Sequence, residues 1–370
     1  MPAEPPEPVA GLIDEAAKHY LHGRYDLAHA RYTTAATLLR PHGVSARLAQ
    51  VLTGLGDVTR MLGDHATARD LYTEAAAMDT VPERAGAGIG LGDLCVLHDD
   101  YEAADRHYRD ALGLFRISSD RAGEAQAFKG LGYSAKMRGE KDTAEDHYRR
   151  ARSLFAELGD SLGEANAVKG LADLDAMRDD HEAARDGYRA ARLVYRDAGY
   201  RLGQAYTAFG LGDVALRLGD FGTAEREYHE AMVLCEAIGY RLGRANAAKS
   251  LGDLARLTGD PAAAQAAYVT AHETYRDLDD RLGQAGALLG LAGARLAAGS
   301  RRDAKEPFQE SLRLYRSIGN GLGESHALLG LAQTAAEPGE AASYYALAER
   351  SYRNAGHADL AAYCEQRAGA

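Results

Sequence analysis

Gly210-Leu211-Gly212-Asp213-Val214-Ala215-Leu216-Arg217-Leu218-Gly219-Asp220-Phe221-Gly222-Thr223-Ala224-Glu225-Arg226-Glu227-Tyr228 decides the fold of this chain. Around it, Leu202, Ala205, Phe209, Leu211, Gly212, Val214, Ala215 and Leu218 fall at three- and four-residue spacing, which predicts a helix with one apolar face. Gly219 suits the position past a helix end, where a positive φ is wanted, and Asp220 suits the cap of the helix that follows. The second helix then carries Phe221, Ala224, Tyr228, Ala231, Leu234 and Ile238 on one face and stops at Gly239. No stretch alternates with period two, so the expected class is all-α.

The unit recurs every 40 residues through the middle of the chain, at Gly90-Leu91-Gly92-Asp93, Gly130-Leu131-Gly132-Tyr133, Gly170-Leu171-Ala172-Asp173 and Ser250-Leu251-Gly252-Asp253. Worn copies follow at Gly290-Leu291-Ala292-Gly293 and Gly330-Leu331-Ala332-Gln333. A fixed period of this length implies stacked helical hairpins, none able to bury its apolar face alone. Eight clear repeats begin near Ala10, Val44, Glu83, Arg121, Ser161, Arg201, Arg241 and Arg281, and a ninth, shortened around Glu337-Pro338-Gly339, begins at Gly321. The expected organisation is a lead-in over 1–9, an array over 10–356, and a capping helix and tail over 357–370. The small residue of each first helix, the alanine of the second and the following tyrosine form a trio, such as Gly92/Ala104/Tyr108, that lets the two backbones approach.

These residues resemble the tetratricopeptide repeat (TPR), in which Leu-Gly is followed by Ala, Tyr and Ala at fixed offsets. The long period is similar to the repeats of the Pins/LGN adaptors, the kinesin light chains and the TPR arms of bacterial NB-ARC regulators. Ile238-Gly239-Tyr240-Arg241-Leu242-Gly243-Arg244-Ala245-Asn246 carries that likeness most clearly. The resemblance implies a solenoid of antiparallel helix pairs wound into a right-handed superhelix, with first helices lining a concave groove.

Mapped on that groove, one ladder reads Gln126, Asn166, Tyr206, Asn246, Gly286 and His326. A second reads Lys129, Lys169, Phe209, Lys249, Leu289 and Leu329, and a third Asp57, Asp93, Tyr133, Asp173, Asp213 and Asp253. Two readings stand. Lys169 with Asp173, and Lys249 with Asp253, are i,i+4 pairs that can simply trade charge on a wet helix face. Alternatively, repeated Asn and Lys hold the backbone or carboxylates of a peptide. Tyr206 and Phe209 break the ladders with an aromatic pair, and Leu289, Leu296 and Leu329 make the later groove apolar. A groove polar early and apolar late suits an amphipathic segment. The carboxylate clamp of chaperone-binding TPRs is not reproduced, because acid stands where that clamp needs Asn.

Composition narrows the function classes. Forty-three Lys and Arg against fifty-four Asp and Glu give a net charge of −11, against a nucleic-acid partner. No apolar run approaches the roughly 18 residues of a membrane span, and Met1 to Pro8 shows no signal-peptide pattern. Cys95, Cys235 and Cys364 read as free thiols of a reducing compartment. Gly86-Ala87-Gly88-Ile89-Gly90-Leu91-Gly92 follows no strand and lacks a Walker lysine, so no nucleotide is expected. The thirteen histidines include no HExxH pair, and neither metal nor cofactor is implied. The expectation is a cytoplasmic, bacterial protein-binding adaptor without catalytic activity. A ligand-responsive regulatory sensor is the alternative, and an accessory factor or enzyme of a biosynthetic pathway the third reading.

Overall fold

The computed structural model describes residues 8–42, 46–78 and 81–369. The expected repeat start at Val44 and the lead-in before Pro8 lie outside the described residues. The described residues hold nineteen α-helices and no strand. In order these are α1 (Pro8–Leu21), α2 (Tyr25–Leu39), α3 (Ala46–Met61), α4 (His65–Ala76), α5 (Val81–Leu97) and α6 (Tyr101–Ile117). Next come α7 (Arg121–Met137), α8 (Lys141–Leu158), α9 (Ser161–Met177), α10 (His181–Asp197), α11 (Arg201–Arg217), α12 (Phe221–Ala237) and α13 (Arg241–Leu257). The remainder are α14 (Pro261–Asp277), α15 (Arg281–Ala297), α16 (Arg301–Ser317), α17 (Gly321–Thr334), α18 (Pro338–Asn354) and α19 (Ala358–Ala368). The chain forms two compact units, Met1–Val214 and Ala215–Ala370, with the boundary inside α11.

Punctuation works as the sequence dictates. Asp64, Asp100, Asp120, Asp160, Asp180, Asp220, Asp260 and Asp280 each accept a backbone N–H three residues on. The residue before each of these caps takes positive φ. It is glycine at Gly63, Gly159, Gly219 and Gly259, but Asp99, Ser119, Asp179 and Asp279 hold φ of 58°, 57°, 60° and 52° in the same slot. Non-glycine residues tolerate that region poorly, and the aspartates among them are the residue type best suited to it after glycine and asparagine.

Within each unit successive helices pair, and odd-numbered helices also pack on the next odd-numbered one: α3 on α5, α5 on α7 and α7 on α9 in the first, α13 on α15 and α15 on α17 in the second. The odd helices thus make one layer and the even helices the other. What sets their spacing is a buried ring of the even helices, tyrosine in most and Phe308 in α16. A Cβ added to Gly92 would lie 2.5 Å from the Tyr108 ring, and one added to Gly130, in the next repeat, 2.7 Å from it. Tyr72 is held likewise by Gly56 and Gly90, Tyr148 by Gly132 and Gly170, and Tyr268 by Gly252 and Gly290. The ring is therefore a bolt through two repeats as well as a filler within one. A second series, unseen in the sequence, seats Phe115, Phe155, Tyr195, Tyr275 and Tyr315 on Gly123, Gly163, Gly203, Gly283 and Gly323. Leu218 and Phe221, expected on apolar faces, sit at a helix end and a helix start and are exposed. In the second series Cys235, fully buried, stands against Gly243 where the neighbouring repeats carry a ring.

Gly130→Ala is expected to lower stability by about 1–3 kcal/mol through overpacking against a ring that cannot move. Gly113→Ala, on α6 with nothing within 4 Å of the new methyl, should raise it by about 0.5–1 kcal/mol. Urea unfolding midpoints of the two variants check both signs.

Candidate binding groove

The bolt has a polar end. Tyr72, Tyr108, Tyr188 and Tyr268 donate their hydroxyls to Asp57, Asp93, Asp173 and Asp253 at 2.7, 2.7, 2.9 and 2.6 Å. Burial and then the adjacent carboxylate push these phenols up, so they remain donors. One oxygen of Asp57, Asp93, Asp173 and Asp253 is thereby committed to holding the fold. Asparagines of the first ladder have a similar duty: Asn166 Oδ1 accepts from Tyr195 at 2.9 Å and Asn246 Oδ1 from Tyr275 at 2.6 Å. Their amide nitrogens donate no hydrogen bond to the described residues.

In the first unit the layer of odd helices brings Gln126, Lys129 and Tyr133 on α7 beside Asn166, Lys169 and Asp173 on α9 and Tyr206, Phe209 and Asp213 on α11. Asp173 is the node. Its Oδ2 accepts from Lys136 at 2.5 Å and from Lys169 at 3.0 Å, while Oδ1 holds Tyr188. Burial alone would raise this carboxyl, but Lys169 and Lys136 hold it down to about 2. The same two ammonium groups lie over aromatic faces, Lys136 4.7 Å from the Tyr133 centroid and Lys169 5.4 Å from that of Tyr206. Tyr133 and Tyr206 are each 37% exposed, whereas Phe209 is half-buried. A continuous strip, Tyr133–Lys136–Asp173–Lys169–Tyr206, therefore crosses three odd helices. Lys136, absent from the ladders, was legible as the residue one turn beyond Tyr133.

Further along this layer Arg60 Nη2 pairs with Asp93 Oδ2 at 3.5 Å, with its side chain 16% exposed. Its Nε is buried and has no hydrogen-bond partner. Lys129 makes no ion pair or hydrogen bond with any described residue, and burial lowers its pKa against the pull of Asp93. The corner between α1 and α2 folds over this end: a Cβ on Gly199, at the corner between α10 and α11, would lie 3.1 Å from His22 Nε2. Tyr20 and Tyr200 flank that contact, and burial raises both phenols. The groove of the first unit is thus closed along one edge by residues nearly two hundred positions apart. Sequence periodicity could not reveal this, because it encodes neighbours only.

The second unit places its ladder residues differently. Lys249 pairs with Asp253 at 2.8 Å, and Asn246 stands exposed beside them. Leu289, Leu296 and Leu329 are partly buried against the core around Phe308, Leu312 and Tyr352. His326 stands edge-on to Tyr352, ring centroids 5.5 Å apart, and burial lowers its pKa. On the even-helix side, Met232 of α12, Leu251 and Leu254 of α13 and the alanines of α14 line a shallow apolar groove of 560 Å³. No group of three or more His, Cys, Asp or Glu among the described residues is placed to hold a metal ion. No helix is long and apolar enough to cross a membrane among them either.

Residues 201–277 match the family model of the tetratricopeptide repeat. No curated protein matches the chain in sequence. Among solved structures, a Rap protein complexed with competence and sporulation factor is 15% identical, with a TM-score of 0.67 over 98% of this chain and 96% of its own. The apo quorum sensor NprR from B. thuringiensis is 15% identical, with a TM-score of 0.64 over 96% of this chain and 99% of its own. A STAND protein with a tetratricopeptide repeat sensor from Pyrococcus horikoshii is 11% identical, with a TM-score of 0.67. It shares 91% of this chain but only 55% of its own length. These likenesses are of fold.

Asp173→Asn should destabilise the first unit by about 1–3 kcal/mol at neutral pH, since two lysines and a tyrosine lose their shared acceptor. The native carboxyl is depressed, so its contribution is full above the unfolded pKa of about 3.9 and fades as pH falls toward about 2. The stability gap between wild type and variant, measured by urea unfolding from pH 7 downward, is expected to hold to about pH 4 and then close.

Proposed function

Because the chain is a tetratricopeptide-repeat protein, we propose that it works as a protein-binding adaptor whose first unit takes an extended peptide segment along its layer of odd helices. The observation carrying this reading is the strip on α7, α9 and α11, where two exposed tyrosines bracket the open amide of Asn166. Tyrosines of this kind are the residues on which interfaces concentrate binding energy. An amide with a free N–H pair answers the carbonyls of a peptide backbone.

Spacing fits an extended ligand. The contacts along the strip keep the Tyr133 and Tyr206 rings within about 16 Å of each other. An extended chain rising about 3.3 Å per residue covers that span with no more than about five residues. Gln126, Lys129, Phe209 and Asp213 border the same strip. Asn246, Lys249 and Asp253 offer a shorter patch of the same chemistry in the second unit.

A second reading, a peptide-responsive sensor, draws support from the likeness to a quorum sensor and to a Rap protein solved with its factor. The edge contact of His22 with Gly199 gives the first unit a joint that a ligand could tighten or release. Such a switch requires unequal affinity for two states.

Tyr133→Ala combined with Tyr206→Ala tests the strip, because both rings are exposed and their loss should leave helicity and melting temperature unchanged. Selection from a displayed library of random hexapeptides on the wild-type chain should yield a consensus, and the double variant should bind those peptides at least about tenfold more weakly. Equal binding by the variant would remove the strip from the site. Solution scattering with the selected peptide separates the two readings: compaction favours the sensor, an unchanged radius of gyration the adaptor.

A further inference from the structure

The apolar trough of 560 Å³ on the even-helix side of the second unit lacks a bridge that two earlier repeats build. In those repeats an arginine just past an odd helix reaches back to acids on the preceding even helix. Arg138 meets Asp105 of α6 at 3.5 Å, and Arg178 meets Asp142 and Glu145 of α8 at 2.8 and 2.7 Å. The Asp105 and Glu145 side chains are only 14% and 20% exposed. One repeat later cation and acid are lost together, their places held by Leu218 and Arg185. In the repeat after that only the cation goes: Glu225 of α12 keeps the acid, while Thr258 stands in the arginine's place and Gly222 in that of Asp142. Thr258 turns its hydroxyl to the Leu254 carbonyl, and Arg226, beside Glu225, donates to Thr223 Oγ1. Glu225 is exposed at the trough and makes no ion pair or hydrogen bond with a described residue.

The far wall has lost its charge as well. From Pro261 to His272, α14 carries no Asp, Glu, Lys or Arg, and Ala266 stands where earlier even helices have Asp146 and Asp186. Helices α12 and α14 both pack on α13, so the trough has two helical walls and a floor of Leu251 and Leu254. Ala263, Ala266 and Ala267 on the α14 side are short enough to let another helix axis come close. An extended chain would find little there for its backbone groups, because the Thr258 and Thr270 hydroxyls bond carbonyls of their own helices. A helix satisfies its own backbone and needs only an apolar face. We propose that this trough docks an amphipathic helix of a partner protein, which lays its apolar face on Met232, Leu251 and Leu254 and gives Glu225 the Arg or Lys that position 258 no longer supplies. The site lies wholly in the second unit and does not depend on the peptide strip of the first.

The test selects binders to the full chain from a displayed library built on one helical scaffold, its apolar stripe fixed as Leu and its flanking positions randomised. The expected outcome is a set of helices with Lys or Arg at one flank position. Glu225→Arg should weaken them at least about tenfold, and changing that flank residue to Glu should restore binding to the Glu225→Arg chain. Ala266→Glu, which puts a charge on the far wall, should abolish binding. Both substituted positions are exposed, and an unchanged melting temperature checks the fold of each variant. The chain with Tyr133→Ala and Tyr206→Ala should bind the selected helices as the wild type does. Selection of no helix, or of helices untouched by Ala266→Glu, overturns the docking site. Helices sensitive to Ala266→Glu but indifferent to Glu225→Arg, or not rescued by the reversed charge, overturn the pairing with Glu225. Dimers in sedimentation that vanish in Ala266→Glu would put a second copy of this chain in the trough and overturn the partner helix.

Discussion

A tyrosine ring clamped between two glycines of successive repeats, with its hydroxyl on an aspartate, is the contact on which the rest of this molecule depends. Tyr108 against Gly92 and Gly130, bonded to Asp93, shows its logic. The glycines admit the ring only because they lack a Cβ, so helix spacing is fixed by steric exclusion rather than by the strength of any attraction. The hydroxyl then needs an acceptor, since an unmet buried donor costs about 1–3 kcal/mol. A carboxylate supplies it at the boundary between the buried layer and the groove. Where the clamp is followed by an aspartate, as at Asp57, Asp93, Asp173 and Asp253, the layer of odd helices receives a carboxylate with half of its capacity already taken.

That bookkeeping decides what the groove can do. A ladder of aspartates looks acidic in sequence, yet Asp57, Asp93, Asp173 and Asp253 each share a carboxylate with a tyrosine, and that of Asp173 is shared with two lysines as well. The cations are less fully spent. Lys136 and Lys169 are each used twice, on Asp173 and on an aromatic face, and hold the strip rigid at little entropic expense. Arg60 is paired with Asp93, whereas Lys129 makes no ion pair with a described residue and feels Asp93 only at a distance. Fold and site are therefore not separate layers of design: the carboxylates that hold the tyrosines are also the ones that hold Arg60, Lys136 and Lys169.

Much of this was legible beforehand. The recurrence of Gly-Leu-Gly-Asp with Gly-Asp turns prescribes helix hairpins of known ends, and the helices from Arg121, Ser161, Arg201, Arg241, Arg281 and Gly321 start where the repeat predicts. The ladders on α7 and α9 converge as well, because residues at equal repeat positions must share a face. Illegible were the partners beyond the repeat. That Asn166 spends its carbonyl on Tyr195, twenty-nine residues on, depends on a second aromatic series whose members change from Phe to Tyr to Cys along the chain and so carry no consensus. The inward packing of Leu289, Leu296 and Leu329 was equally hidden, since an apolar residue at a groove position reads the same whether it meets ligand or core.

The deepest gap concerns closure. A repeat sequence specifies how each hairpin sits on the next, but the meeting of His22 with Gly199 is the sum of many small rotations. No residue at either corner announces it. Such a sum is also the property most open to a ligand's influence, because nearest-neighbour coupling lets a small change at each interface accumulate along the array. A peptide that engaged α7, α9 and α11 together would bear on successive clamps at once, and through them on the stacking of the whole first unit.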